Sequence, residues 1–197
     1  MIYETYETDA FVLSAHNVGE GNRFFYLFTK EFGLVKATAQ SVRVEKSKLR
    51  YNLQPFSRAQ VSLVRGKEQW RVVGAEGAQH FFVSFSGNTE AQQLLRHLFD
   101  LVIRLVHGEG VHPYTFDTLG EVSGVLLRGD VTKEDLKPLE LISVARILFE
   151  LGYFSPKEYA AHIFEDTRFS HDTLLSITTN REMLVRDINA SLEETHL

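Results

Sequence analysis

The sequence predicts an α+β protein in which an N-terminal five-stranded β-barrel is followed by an all-α domain. From residue 9 to residue 76 apolar residues recur with period two, as at Phe11 and Leu13, which is typical of half-buried strands. After Gly87 and Asn88 the apolar spacing becomes helical. With 197 residues and 44% hydrophobic content, the chain is long and apolar enough to bury a core in each part.

Five short strands are expected in the first half, with turns at residues 19–22, 31–33 and 66–67. A long basic connection, residues 41–56, joins the third strand to the fourth. Five strands of this length suit a small closed barrel. The expected strands cover residues 9–17, 23–29, 33–40, 58–66 and 69–77.

Helices are expected through the second half. Thr89 and Gln92 have the spacing of a capping box, and they precede an apolar stripe over residues 94–105. A second capping box is expected at residues 155–158, with proline at the first helical position. Further helices are expected at about 113–128, 138–151, 156–165 and 179–193.

The change of pattern near residues 78–88 predicts a domain boundary, giving domains at residues 1–80 and 81–197. The start of the chain is acidic and polar, and its longest apolar stretch, residues 94–106, is interrupted by charges. We therefore expect neither an export leader nor a membrane span. The chain has no cysteine, which excludes disulfides and thiolate zinc sites and is consistent with a reducing compartment. We expect a cytoplasmic protein.

The charge of the chain is distributed unevenly. Eleven of its 21 Lys and Arg residues lie between Arg23 and Arg71, where only three acidic residues occur, so this basic segment carries a net charge of +8. The remainder carries −13, and the whole chain −5. A protein that concentrates its cations in this way can attract a polyanion locally.

Aromatic residues are interleaved with the cations of the basic segment. Five-stranded OB barrels bind single strands with a positive groove that follows the phosphates and with rings on which bases stack. We therefore expect an OB-fold that binds nucleic acid, with Tyr51 and Trp70 as stacking residues, while most other rings fill the barrel or its contacts with the helices. The expected phosphate contacts are Arg23, Lys36, Arg43, Lys46, Lys48, Arg50, Lys67 and Arg71.

Other functions remain open at this stage. A basic barrel can equally hold an acidic protein segment, which would make the chain an interaction adaptor. A metal-dependent nuclease would use Asp100, Asp117 and Glu121, which lie on ordinary helical sequence. The chain has no Walker motif, HExxH motif or GxSxG elbow. We therefore expect a protein that is not an enzyme and needs no cofactor.

Several short motifs occur in a fixed order within residues 9–76. They are Gly19-Glu20, Phe32-Gly33-Leu34, Lys46-Ser47-Lys48-Leu49 and Leu53-Gln54-Pro55-Phe56. Together they resemble the N-terminal domain of RecO, a family of bacterial recombination-mediator proteins. The likeness is weaker beyond this region, where residues 149–153 resemble a helix of the family's second domain.

The resemblance to RecO implies an OB fold followed by a helical domain, binding to single- and double-stranded DNA, and annealing of complementary strands. It also implies cooperation with RecR and with the acidic C-terminal tail of single-stranded-DNA-binding protein, so that RecA can load on gapped DNA. Many members carry a four-cysteine zinc module after a Leu-Gly-Tyr position. This chain continues there with residues 154–162 and has no thiol, so we expect no zinc.

Overall fold

The computed structural model describes residues 4–44, 46–67 and 69–194. The chain divides into two compact units, one of residues 1–86 with 99–111 and the other of residues 87–98 with 112–197. The boundary between residues 80 and 81 stays a prediction, since this division assigns residues 81–86 and 99–111 to the same unit as the strands.

The first unit is built on a closed five-stranded barrel with the strand order β1-β2-β3-β5-β4. Strands β3 and β5 pair in parallel, and every other pair is antiparallel. This arrangement confirms the predicted OB fold. The strands are β1 Thr5–Val18, β2 Asn22–Thr29, β3 Gly33–Ala39, β4 Ser57–Arg65 and β5 Trp70–His80.

The alternation of side chains along β2 shows how the sequence builds the barrel. Phe25 and Leu27 point into the barrel core and are fully buried, while Phe24 and Tyr26 lie on the outer face and are half-buried. Each fully buried Phe or Leu contributes about 1.5–3 kcal/mol relative to an exposed one. The period-two pattern therefore also decides which rings of the strand are open to a ligand.

A second apolar cluster forms on the outside of the barrel. Phe11 of β1 packs against Phe81 and Phe99, with ring centroids 6.2 and 5.7 Å away, and Phe56 joins them. Phe81 belongs to the short helix α2 Phe81–Ser84, which directly follows β5. This cluster fixes the position of α2 at the end of β5.

The helices beyond the barrel are close to those predicted. They are α3 Thr89–Leu105, α4 Pro113–Arg128, α5 Leu136–Glu150, the 3-10 helix η1 Glu158–Phe164 and α6 His171–Glu194. None of the helices in the described part of the chain has the length and apolar content needed to cross a membrane.

Two predicted capping boxes are wrong. Helix α3 is capped by Asn88, whose Oδ1 accepts from the Ala91 amide at 3.0 Å, so Thr89 is already helical. Within the predicted second segment only η1 Glu158–Phe164 is helical, and its N-cap, Lys157, makes no side-chain capping bond. Helix α6 begins eight residues earlier than predicted, where the hydroxyl of Ser170 accepts from the Thr173 amide at 3.1 Å.

The basic connection contains a helix that was not predicted, α1 Leu49–Asn52. Four residues are too few to show a helical period. Its flanking Leu53 is fully buried in the barrel core, and the amide of Ala78 in β5 donates to Asn52 Oδ1 at 3.3 Å. Helix α1 is therefore held against β5.

Candidate nucleic-acid interface

Two of the predicted phosphate contacts meet at the turn between β1 and β2. Arg23 Nε donates to Asn17 Oδ1 at 3.2 Å, and Arg43 Nη1 donates to the carbonyl of Gly19 at 3.2 Å. The Arg43 amide also donates to the carbonyl of Gly21 at 3.1 Å. These bonds bring both guanidinium groups to the same turn, where Arg43 is exposed and Arg23 is half-buried.

A second group of cations lies on the outer face of β3 and β5. The register pairs Thr38 with Arg71. Lys36 lies on the same face as Thr38, because it is two residues away along β3. The Lys36 ammonium lies 5.5 Å from the ring centroid of Tyr26. Lys67 is exposed in the turn between β4 and β5.

The third group, Lys46, Lys48 and Arg50, lies in the connection and on α1. All three side chains are exposed, and none forms an ion pair with a residue of the described ranges. Tyr51 on α1 is 67% exposed, and its ring lies edge-on to His80 with centroids 4.5 Å apart. Among the predicted contacts, this group combines uncompensated charge with an exposed ring.

Trp70 does not offer a ring face to a ligand. It is 4% exposed and packs against Tyr6 and Phe32 with centroids 5.6 and 5.3 Å away. Its indole Nε1 donates to Glu109 Oε1 at 2.9 Å. Base stacking needs an accessible face, so the packing of Trp70 argues against its predicted stacking role.

Two rings that were expected to pack in the barrel or against the helices lie on the outer barrel face. Phe24 and Tyr26 contact each other edge-on with centroids 5.4 Å apart, and His16 lies 6.1 Å from Tyr26. Together with Lys36 and Trp70, the two β2 rings line a cavity of about 560 Å³. The signal that identifies them is their alternation with the core residues of the same strand.

Two further cations of the basic segment are neutralised. Arg58 pairs with Asp9 at 2.5 Å, and Arg65 pairs with Glu109 at 3.2 Å. Neither was among the predicted phosphate contacts. Their carboxylate partners lie outside the basic segment in sequence, so the count of +8 overstates the charge available to a ligand.

No metal centre is evident in residues 4–44, 46–67 and 69–194, where no three His, Asp or Glu side chains are close enough to hold an ion. Of the acidic residues considered for a nuclease, Glu121 lies 4.0 Å from Arg128. Glu121 is thus accounted for by a surface ion pair.

Comparison with known proteins agrees with this architecture. Residues 1–81 match the family model described as "Recombination protein O N terminal". A "DNA repair protein RecO" from Pelotomaculum thermopropionicum is 40% identical over 76 residues, which are 39% of this chain and 30% of the relative. Proteins of that name from two strains of Dehalococcoides mccartyi are 30% identical over 114 residues and 27% identical over 148 residues.

The two Dehalococcoides matches cover 58% and 75% of this chain and 45% and 56% of those relatives. The chain therefore spans between about a third and just over half of the length of these curated relatives. The family match covers the entire barrel, and the longer alignments continue into the helices. The chain is therefore similar to RecO proteins over its barrel and, in the longer alignments, into its helices.

Proposed function

We propose that this chain is a non-enzymatic DNA-binding protein of recombinational repair, which binds single- and double-stranded DNA and anneals complementary strands. Three relatives named as DNA repair proteins support the repair role. The OB barrel supports nucleic-acid binding, because this fold commonly binds oligonucleotides.

The observation that carries the proposal is the third group of cations. Lys46, Lys48 and Arg50 are exposed and form no ion pair with any described residue, and exposed Tyr51 lies beside them. Holding three like charges close together without compensation costs stability, and a polyanion relieves this repulsion. The remaining predicted contacts, in the other two groups, extend the phosphate-binding surface in this proposal.

A phosphate-binding surface of this kind is sufficient for strand annealing in this proposal. Two single strands repel each other through their phosphates, and bound cationic side chains reduce that repulsion because they neutralise phosphate charge. Phosphate contacts carry no sequence information, so the base edges stay available for pairing. A protein that binds by phosphates can therefore bring complementary strands together without any chemical step.

The proposal extends to partners. We include RecR and the acidic tail of single-stranded-DNA-binding protein, with RecA loading on gapped DNA as the outcome. A basic surface attracts an acidic protein tail by the same electrostatics that attract DNA. These partners are assigned to the chain as a whole, and to no individual residue.

A strand-annealing assay tests the proposed function. Two complementary oligonucleotides with a fluorophore and a quencher at opposing ends are mixed with and without the protein. We expect faster quenching with the protein, and a loss of this acceleration as salt is raised. If the protein neither anneals nor binds DNA at low salt, yet retains protein partners after nuclease treatment, the chain is an adaptor for acidic segments and the proposal fails.

Salt dependence gives a quantitative form of the same test. If about five phosphates of a single strand are neutralised, the logarithm of the binding constant falls against the logarithm of salt concentration with a slope near −3.5. Fluorescence anisotropy over a salt series measures the slope. A slope near zero would exclude phosphate binding.

A further inference from the structure

Three strongly exposed apolar side chains lie in one groove of the first unit. Val83, Tyr51 and Phe82 are 70%, 67% and 59% exposed, more than any other large apolar residue in the described part of the chain. All three line a groove of about 640 Å³, together with Pro55 and His80. Clustered exposed apolar residues mark sites of interaction, whereas single ones are ordinary.

The fold holds these side chains in the open. Helix α2 turns Phe81 into the aromatic cluster, where it is 1% exposed, so its neighbours Phe82 and Val83 face outward. The α2 backbone is fixed at its start, where the Phe81 amide donates to the carbonyl of Phe56 at 3.1 Å. The groove is therefore preformed, which lowers the entropic cost of binding.

Flat rings form one wall of the groove. The Tyr51 ring meets His80 edge-on with centroids 4.5 Å apart, so one face of Tyr51 is not covered by this contact. His80 Nε2 is shielded from solvent and has no hydrogen-bond partner among the described residues. A flat ligand can therefore stack on the face of Tyr51 that His80 leaves uncovered.

Two cations lie close to Tyr51 in the sequence of α1 and its N-cap. Lys48 lies three residues before Tyr51, which places the two side chains on the same side of α1. Arg50 is adjacent to Tyr51, and neither cation forms an ion pair with a described residue. The residues that line the groove include no Asp or Glu. An anionic chain is the occupant that this charge favours.

We propose that this groove stacks unpaired bases of single-stranded DNA, with the strand's phosphates at Lys48 and Arg50. The inference rests on the proposed function and adds a base-binding site to it. In a duplex the bases are already stacked and paired, so they cannot enter. Phosphate contacts serve both forms of DNA, so the groove adds affinity for the single strand alone.

The test uses a thymidine oligonucleotide and an abasic oligonucleotide of the same length, which have the same number of phosphates. We expect wild-type protein to bind the thymidine strand about tenfold more tightly, because stacking of a base is worth ~1–3 kcal/mol. The double variant Y51A/F82A should lose this difference while its affinity for the abasic strand and for duplex DNA is unchanged. Y51F should keep the difference, because it keeps the ring.

Leu175→Ala is the matched control, since Leu175 is 57% exposed and lies on α6. It should bind both oligonucleotides as wild type does, and circular dichroism checks that each variant is folded. If wild type binds neither oligonucleotide, the proposed function itself fails. If it binds both equally and with strong salt dependence, DNA binding stands and the stacking groove is overturned.

Two other results would also overturn the groove's assignment. Retention of the tenfold difference in Y51A/F82A would place base stacking elsewhere. Analytical ultracentrifugation gives the second result. If wild type self-associates and Y51A/F82A does not, while the preference for the thymidine strand is unchanged, the groove binds a second copy of the chain.

Discussion

The carboxylate of Glu109 accepts a hydrogen bond from the indole Nε1 of Trp70 at 2.9 Å, across 39 residues of sequence. Its other oxygen lies 3.2 Å from the guanidinium of Arg65, whose Cζ is 5.3 Å from the Trp70 ring centroid. One carboxylate thus satisfies the indole and neutralises a cation of the basic segment. This arrangement keeps Trp70 in a structural role.

Trp70→Phe tests that role. The substitution keeps an aromatic ring in the cluster and removes the donor to Glu109, so the free energy of unfolding should fall by about 1–2 kcal/mol from the lost bond and the smaller ring. DNA affinity should stay within twofold of wild type, since Trp70 is 4% exposed. Urea denaturation and fluorescence anisotropy measure the two quantities. A fivefold or greater loss of affinity in folded protein would restore Trp70 to the interface.

Gly33→Ala should strongly destabilise the barrel. Gly33 has φ +64°, and a Cβ at this position would lie 1.9 Å from the carbonyl oxygen of Gly110. Gly77 is a matched control, because it has φ +66° and a Cβ there would meet no atom within 4 Å. Gly77→Ala should cost about 1–2 kcal/mol for the backbone alone. Gly33→Ala should cost at least about 2 kcal/mol more, as measured by urea denaturation. Equal costs would show that the contact with Gly110 is absent in solution.

Arg146 organises the segment between η1 and α6. Its buried guanidinium donates to the carbonyls of Ile163, Asp166 and Thr167 at 2.5–2.7 Å. Arg146→Lys should lower the free energy of unfolding by at least about 2 kcal/mol, because a lysine ammonium cannot reproduce the planar fork of donors. The control is Arg181→Lys on the exposed face of α6, which should change it by less than ~0.5 kcal/mol. If Arg146→Lys also changed the free energy of unfolding by less than ~0.5 kcal/mol, Arg146 would not be the residue that organises this segment.

Asp187 links η1 to α6 and gives the protein a pH dependence. A hydrogen bond from Lys157 at 2.8 Å, aided by one from Tyr159 at 2.9 Å, holds the pKa of Asp187 below its ordinary value of 3.8. A depressed carboxyl pKa stabilises the fold above the unfolded-state pKa, and that contribution is lost as pH falls through the folded-state pKa. Asp187→Asn should therefore be less stable than wild type near neutral pH.

Urea denaturation of wild type and Asp187→Asn at several pH values checks this linkage. The difference in unfolding free energy between the two should stay constant down to about pH 5 and shrink as pH falls below 3.8. A difference that does not change with pH would show that the ionised form of Asp187 contributes nothing.

Local patterns in the sequence were sufficient to predict the barrel. Alternation in strands such as β2 requires only neighbouring residues, so the five strands and the shared face of Phe25 and Leu27 follow from it, while the structure shows that this face points inward. Helix α1 and the Asn88 cap were missed, because four residues show no period and a cap depends on which side chain reaches the amide.

Long-range partners could not be predicted in this way. The ion pair of Arg58 with Asp9 joins residues 49 apart, and the contacts of Trp70 depend on where Glu109 arrives in the fold. The ion pair removes the charge of Arg58 from a ligand, and the packing of Trp70 removes its ring. The exposure of Phe82 likewise depends on Phe81 entering the outer aromatic cluster, which no local spacing reveals.

The central claim is that cations of the basic connection bind DNA phosphates. The most direct measurement is the salt slope of single-strand binding for the triple variant Lys46→Ala, Lys48→Ala and Arg50→Ala. Its control removes the same charge elsewhere, with Arg104, Lys137 and Arg181 changed to Ala, all of which are exposed. Three lost phosphate contacts should weaken binding and make the slope less negative by about 2, while the control keeps a slope near −3.5. Equal slopes and affinities for the two triple variants would contradict the account.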